Sequence, residues 1–137
     1  MEPHTLLNDE AFEVQFETCM LDPALFTHEA HLRLAWIHIK KYGVETAVEH
    51  VVTQLSNFVA HAGARDKFNL TLTIAAVRGV NHFMLRATTD TFPAFIKEFP
   101  QLLYDFKALI DSHYSCDIFK EERAKTNYLV PDLAPFE

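Results

Sequence analysis

The chain has 137 residues, 49% of them hydrophobic with 12 phenylalanines, and a formal net charge of −7. That length suits one helical domain over 1–137, able to bury about two-thirds of its unfolded surface, and the acidity argues against a nucleic-acid partner, which would want a basic face. Two cysteines, Cys19 and Cys116, are too few for a disulfide framework; both sit in helical patterns and read as small buried apolar residues.

The chain opens Met1-Glu2-Pro3-His4, without the basic and apolar regions of a secretory leader. No apolar run approaches the roughly 18 residues of a membrane span. A cytoplasmic protein with no membrane partner is therefore expected. Asn8 is a strong N-cap for a first helix, with Asp9 and Glu10 in its first turn and Leu7 and Phe12 placed as a hydrophobic staple. Phe12, Phe16 and Cys19 or Met20 recur at helical spacing until Asp22-Pro23 ends the run.

A second helix is predicted over 27–42. Thr27 caps it, Glu29 suits the positive end of its dipole, and Lys40-Lys41 precede Gly43 at its close. At about 100° per residue, Glu29, Arg33 and Lys40 share one side and Leu32, Ala35, Trp36 and Ile39 the other. His28, His31, Ala35, His38 and Tyr42 form a seam spaced 3, 4, 3 and 4 along the edge of the apolar face. The histidines are thus expected to point inward. A buried ring needs partners for both nitrogens, since an orphaned polar group costs about 1–3 kcal/mol. Each ring can be a bonded core side chain. His28 and His31, at i,i+3, can instead ligate a metal, or bind or deprotonate a small ligand between helices. His-Glu-Ala-His misses the zinc-protease spacing His-Glu-x-x-His by one residue.

Helix three is predicted from Val44 to His61, antiparallel to helix two across a short turn, with a seam of Val44, Val48, Val51, Leu55 and Phe58. The polar loop from His61 to Lys67 closes it through Gly63. Helix four, 69–87, is apolar nearly all round, as a buried helix is. Pro93 and Pro100 stand as first-turn prolines of a short helix at 92–98 and a longer one at 100–113, the latter with an inner stripe of Leu103, Phe106 and Ile110. A charged helix at 117–128 and a proline-extended tail complete the chain. The expected fold is all-α, a single-domain helical bundle of about six to seven helices.

Three segments together resemble a family of small, uncharacterised all-helical proteins. They are Phe26-Thr27-His28-Glu29-Ala30-His31-Leu32-Arg33-Leu34-Ala35-Trp36, then Lys67-Phe68-Asn69-Leu70-Thr71-Leu72-Thr73, and Tyr114-Ser115 through Val130-Pro131-Asp132-Leu133-Ala134-Pro135. The resemblance implies an all-helical cytoplasmic protein with no established reaction. In that family the second segment reads Lys-Tyr-His-Glu-Thr-x-Thr, so a histidine and a glutamate open helix four. With the two histidines of helix two they would make a four-ligand set. Here those positions hold Asn69 and Leu70. Leucine cannot coordinate a metal and an amide is a poor ligand for zinc or iron. No metal or other cofactor is therefore expected; a metal at His28 and His31 is the alternative. Asn69 is placed to hydrogen-bond a histidine ring instead.

The reading that follows is a small-molecule-binding protein. Its histidine-lined pocket would lie between helices 27–42 and 69–87, lined by His28, His31, Ala35, His38, Asn69 and Thr73. A degenerate metal-dependent enzyme is one alternative. The other is a structural or interaction module forming a homo-oligomer through a Phe-rich surface at Phe92, Phe95 and Phe99. Whether the chain is an enzyme stays open, for it has no glycine-rich phosphate loop and no nucleophile elbow. Arg78 and Arg86 can grip an anion or pair with neighbouring acids. His4, His50, His61, His82 and His113 read mainly as surface or helix-end residues.

Overall fold

The structure is a computed structural model that describes residues 3–136; Met1 and Glu2, read above for a leader, lie outside the described residues. Eight α-helices and three short 3₁₀ turns, and no strand, occur among them. The helices are α1 (Asp9–Glu17), α2 (His28–Tyr42), α3 (Val44–His61), α4 (Leu70–Met84), α5 (Phe92–Glu98), α6 (Gln101–Tyr104), α7 (Phe106–Asp111) and α8 (Glu122–Thr126). None is long and apolar enough to cross a membrane. The chain divides into two compact units that meet in sequence at Phe68 and Asn69.

In the first unit α1, α2 and α3 pack against one another. Their starts follow local chemistry: Asn8 accepts from the Ala11 amide at 2.8 Å and Thr27 from the Ala30 amide at 3.3 Å. Gly43 alone joins α2 to α3, at φ 86° and ψ 163°, a region essentially reserved for glycine. Phe16 stacks on Phe58 and meets Phe26, each at 4.7 Å between ring centroids, which ties α1 to α3 and to the turn before α2.

In the second unit Asn69 caps α4 by accepting from the Leu72 amide at 3.0 Å. No residue of α4 is exposed from Leu70 to Met84, as its apolar circumference predicts. Ala75, Ile110, Tyr114, Ile118 and Ala124 form a core cluster, flanked by Leu72, Phe106, Phe119 and Phe136.

Several expectations need correction here. The predicted helix at 100–113 is two, because Asp105 leaves the helical region at φ −131°; aspartate is a poor interior helix residue. With that break the helix count rises to eight. The predicted helix at 117–128 shrinks to Glu122–Thr126. Its backbone is satisfied from α4 instead: Asn69 Nδ2 donates to the Ile118 carbonyl at 2.8 Å. Thr71 Oγ1 donates to the Asn127 carbonyl at 2.6 Å and accepts from the Leu129 amide at 3.0 Å. A segment bonded this way gains nothing from its own helical turns. Phe92 and Phe95 are buried and Phe99 is half-buried, so they form no exposed aromatic surface; with Ile96 they are the inner face of α5. Cys19 and Cys116 are half-buried and lie outside the helices, Cys19 at φ 61° in the turn after α1.

Candidate functional site

The seam of α2 is less buried than its spacing predicts. His28 and His31 are both exposed, which corrects the inward-facing expectation for these two rings. The seam turns into the protein only at Ala35 and His38, and surfaces again at Tyr42, 39% exposed. One face of His31 is covered by Phe26, with ring centroids 3.8 Å apart. Desolvation and then the neighbouring His28 push the His31 pKa down.

His38 is the histidine of the seam that the fold encloses, at 0% exposure. Its Nδ1 lies 3.3 Å from Nδ1 of His50 on α3, so one ring donates and the other accepts. Its Nε2 is buried with no hydrogen-bond partner among the described residues. Burial pushes the His38 pKa down to about 4; the Glu13 carboxylate opposes this, while His50 and Lys41 add to it. Tyr42 stands across the His50 ring at 4.7 Å and donates its hydroxyl to Glu13 Oε2 at 2.6 Å. Lys41 donates to the other oxygen at 3.0 Å. Burial alone would raise the Glu13 carboxyl, but the hydrogen bonds from Tyr42 and Lys41 prevail and hold it below its ordinary value.

Asn69 and Thr73 belong to the second unit, and both are engaged in helix α4. Asn69 spends its carbonyl on the Leu72 amide and its NH₂ on the Ile118 carbonyl. Thr73 Oγ1 donates to the backbone carbonyl of Asn69 at 2.7 Å. These are structural bonds of the helix start. Among the described residues no group of three or more His, Cys, Asp or Glu side chains is arranged to hold a metal ion.

Sequence reasoning missed a buried polar centre in the first unit. Arg33, placed above on the outer side of α2, is 6% exposed, and His4, read as a surface residue, is 0% exposed. The Arg33 guanidinium donates to the His4 carbonyl at 2.8 Å, the Leu7 carbonyl at 2.7 Å and the Asp9 carboxylate at 2.9 Å. It also lies 3.3 Å from His4 Nδ1. Arginine has no acceptor, so that nitrogen accepts, and Nε2 carries the proton donated to Glu29 at 2.7 Å. The segment before α1 is thereby strapped over α2. The available signal was the run Leu32–Ile39, in which Arg33 and His38 are the polar exceptions; a helix apolar on nearly every side is covered on every side.

The second unit holds a cavity of about 190 Å³. Phe83, Leu102, Phe106, Leu109 and Ile110 supply its apolar wall, and His82, Ser112 and His113 its polar part. Phe136 closes over it, stacked on His113 with centroids 4.0 Å apart. His113 lies 2.8 Å from the Ala134 carbonyl through Nδ1. A carbonyl only accepts, so Nδ1 carries the proton and Nε2 is an acceptor in the neutral ring. Ser112 donates to the Leu109 carbonyl at 2.6 Å, which turns its hydroxyl proton away from the neighbouring imidazole. Gly79, in the middle of α4, completes the wall. No local pattern in the sequence announces this cavity, because Phe136 reaches it from a tail more than fifty residues beyond α4.

The chain matches no family model, no curated protein and no solved structure.

Proposed function

We propose that this is a small-molecule-binding helical protein whose histidine-lined pocket is the cavity of the second unit, and that it takes a small uncharged apolar molecule. Of the residues expected to line a pocket, α4 contributes, though through Gly79, His82 and Phe83 in place of Asn69 and Thr73. The observation that carries the reading is Gly79. Glycine inside a helix is destabilising by about 0.5–1 kcal/mol relative to alanine. An added Cβ here would meet only the edge of Phe136, at 3.8 Å, an ordinary contact. The position therefore tolerates alanine, and its glycine keeps space open against the cavity. Stability forgone for a binding space is a common exchange in proteins.

Chemistry favours binding over catalysis. The lining holds no carboxylate, lysine, arginine or cysteine, so a charged guest would be buried unpaired at high cost. The serine hydroxyl donates to the Leu109 carbonyl and not to a base. The reading calls for no metal. In size the cavity lies below the range of drug-sized pockets and somewhat above the roughly 150 Å³ that accommodates benzene. The test is a titration of the ¹⁵N-labelled protein with toluene, followed by amide and aromatic NMR. Saturable shifts confined to Phe83, Phe106, Ile110, His113 and Phe136 are expected. Absence of saturation at millimolar toluene, or shifts spread over the first unit, would overturn it.

A further inference from the structure

Resting on that reading, we infer that the cavity selects an aromatic alcohol of the phenol class, its ring among the phenylalanines and its hydroxyl donating to Nε2 of His113. Three features converge on this ligand. The wall presents the rings of Phe83, Phe106 and Phe136, and an aromatic guest gains offset or edge contacts with such rings beyond its area alone. The volume, about 190 Å³, leaves room for one substituent on a benzene-sized ring. The third feature is the tautomer. Ala134 holds the proton on Nδ1, so Nε2 of this cavity-lining ring is the acceptor of the neutral imidazole. An apolar guest would leave that lone pair unused, whereas a hydroxyl proton satisfies it. A carboxylate or phosphate offers no proton to Nε2 at neutral pH and finds no cation in the lining. An aromatic ammonium would bring a charge with no counter-ion.

Selection of this kind rests on one hydrogen bond, and a site built around a donor or acceptor disfavours the analogue that lacks the partner. Phenol and toluene have nearly the same shape and differ in that one group, so their affinity ratio isolates it. The experiment measures both by NMR titration or calorimetry on the wild type and on His113→Asn. Asparagine can place its NH₂ where Nδ1 stood and so keep the bond to Ala134, while it deletes the Nε2 acceptor. The phenol-to-toluene affinity ratio is expected to fall by roughly tenfold in the variant, the worth of one such bond. In the wild type the His113 Nε2 resonance should move with phenol and stay in place with toluene; this reading does not depend on the variant folding. If toluene saturates the cavity while the ratio is equal in both proteins and Nε2 is silent, the phenol assignment falls and the apolar pocket stands. If neither compound binds, both fall together.

Discussion

The two units settle their buried polar groups by different means. In the first, Arg33, His4 and Glu13 are buried and each meets a charged side chain, Arg33 meeting Asp9 beside the His4 and Leu7 carbonyls, His4 meeting Glu29 and Glu13 meeting Lys41, while His38 leans on His50. In the second, the buried Asn69, Thr71 and Thr73 bond neutral backbone carbonyls. Tyr114, whose phenol burial pushes up, donates to the Leu129 carbonyl at 2.9 Å. Ionic partners make a fold sensitive to protonation and to loss of a single charge. Neutral bonds to the backbone leave packing volume as the sensitive variable. The first unit should therefore break by charge, and the second by volume.

The largest expected effect comes from Arg33. Arg33→Met removes the guanidinium that stands over Phe12 at 4.7 Å, takes the donor from the Leu7 carbonyl and from His4 Nδ1, and leaves the His4 carbonyl with the Leu7 amide alone. A loss of about 4 kcal/mol is expected, within the range for breaking a buried charged contact. Urea melts measure it. Asp9→Asn should cost less than about 1 kcal/mol, because the Asp9 side chain is half-exposed. Equal losses in the two variants would refute the idea that the backbone carbonyls are the main partners.

Much of this architecture was legible where the physics is local. The caps Asn8 and Thr27, the Gly43 turn and the whole span of α3 follow from residues within a turn of the boundary. What stayed hidden depends on contacts distant in sequence. The covering of Arg33 comes from His4, 29 residues away, and the unwinding of 117–121 from a side chain 49 residues away. A periodicity argument assigns a face and cannot say what lies on it. Hence the seam of α2 was placed correctly at Ala35 and His38 and wrongly at His28 and His31. The cavity of the second unit lay beyond reach for the same reason.

The next effect is acid loss of stability, and it belongs to the first unit. Burial pushes the folded His38 down to about 4, below the ordinary ~6.5. Between those values the unfolded chain binds the proton more readily, so stability rises with pH across the window. The contribution is complete above the unfolded value and is lost as pH falls through the folded one. Glu13, also depressed, has the same sign at lower pH. Tyr42, His50 and Lys41 are the other groups facing this centre. A loss on the order of 3 kcal/mol from pH 7 to 4 is expected. His38→Leu should flatten most of it, with little change at pH 8, where the orphaned Nε2 is no longer buried. His31→Gln should flatten less, because its ring is exposed. Denaturant melts from pH 8 to 4 decide, and a wild type that gains stability toward pH 5 would reverse the argument.

The smallest effect tests the second unit by volume. Gly79→Ala adds one methyl group to the middle of α4, where the nearest atom outside the helix is 3.8 Å away on Phe136. Alanine has less backbone entropy to lose and a better helix propensity, so a gain of about 0.5–1 kcal/mol is expected. The same methyl projects into the cavity and should weaken toluene binding. A filled void that simply improved packing would also raise stability, so the two measurements must be read together. Higher stability with lower affinity marks a glycine kept for space. Higher stability with unchanged affinity places the guest away from α4, and lower stability means that Phe136 cannot yield and that the tail, through His113, is held more tightly than its contacts suggest. Because no carboxylate, lysine or arginine lines this cavity, the gain should be the same at pH 8 and pH 9. A gain that varied with pH would erase the distinction between the units from the other side.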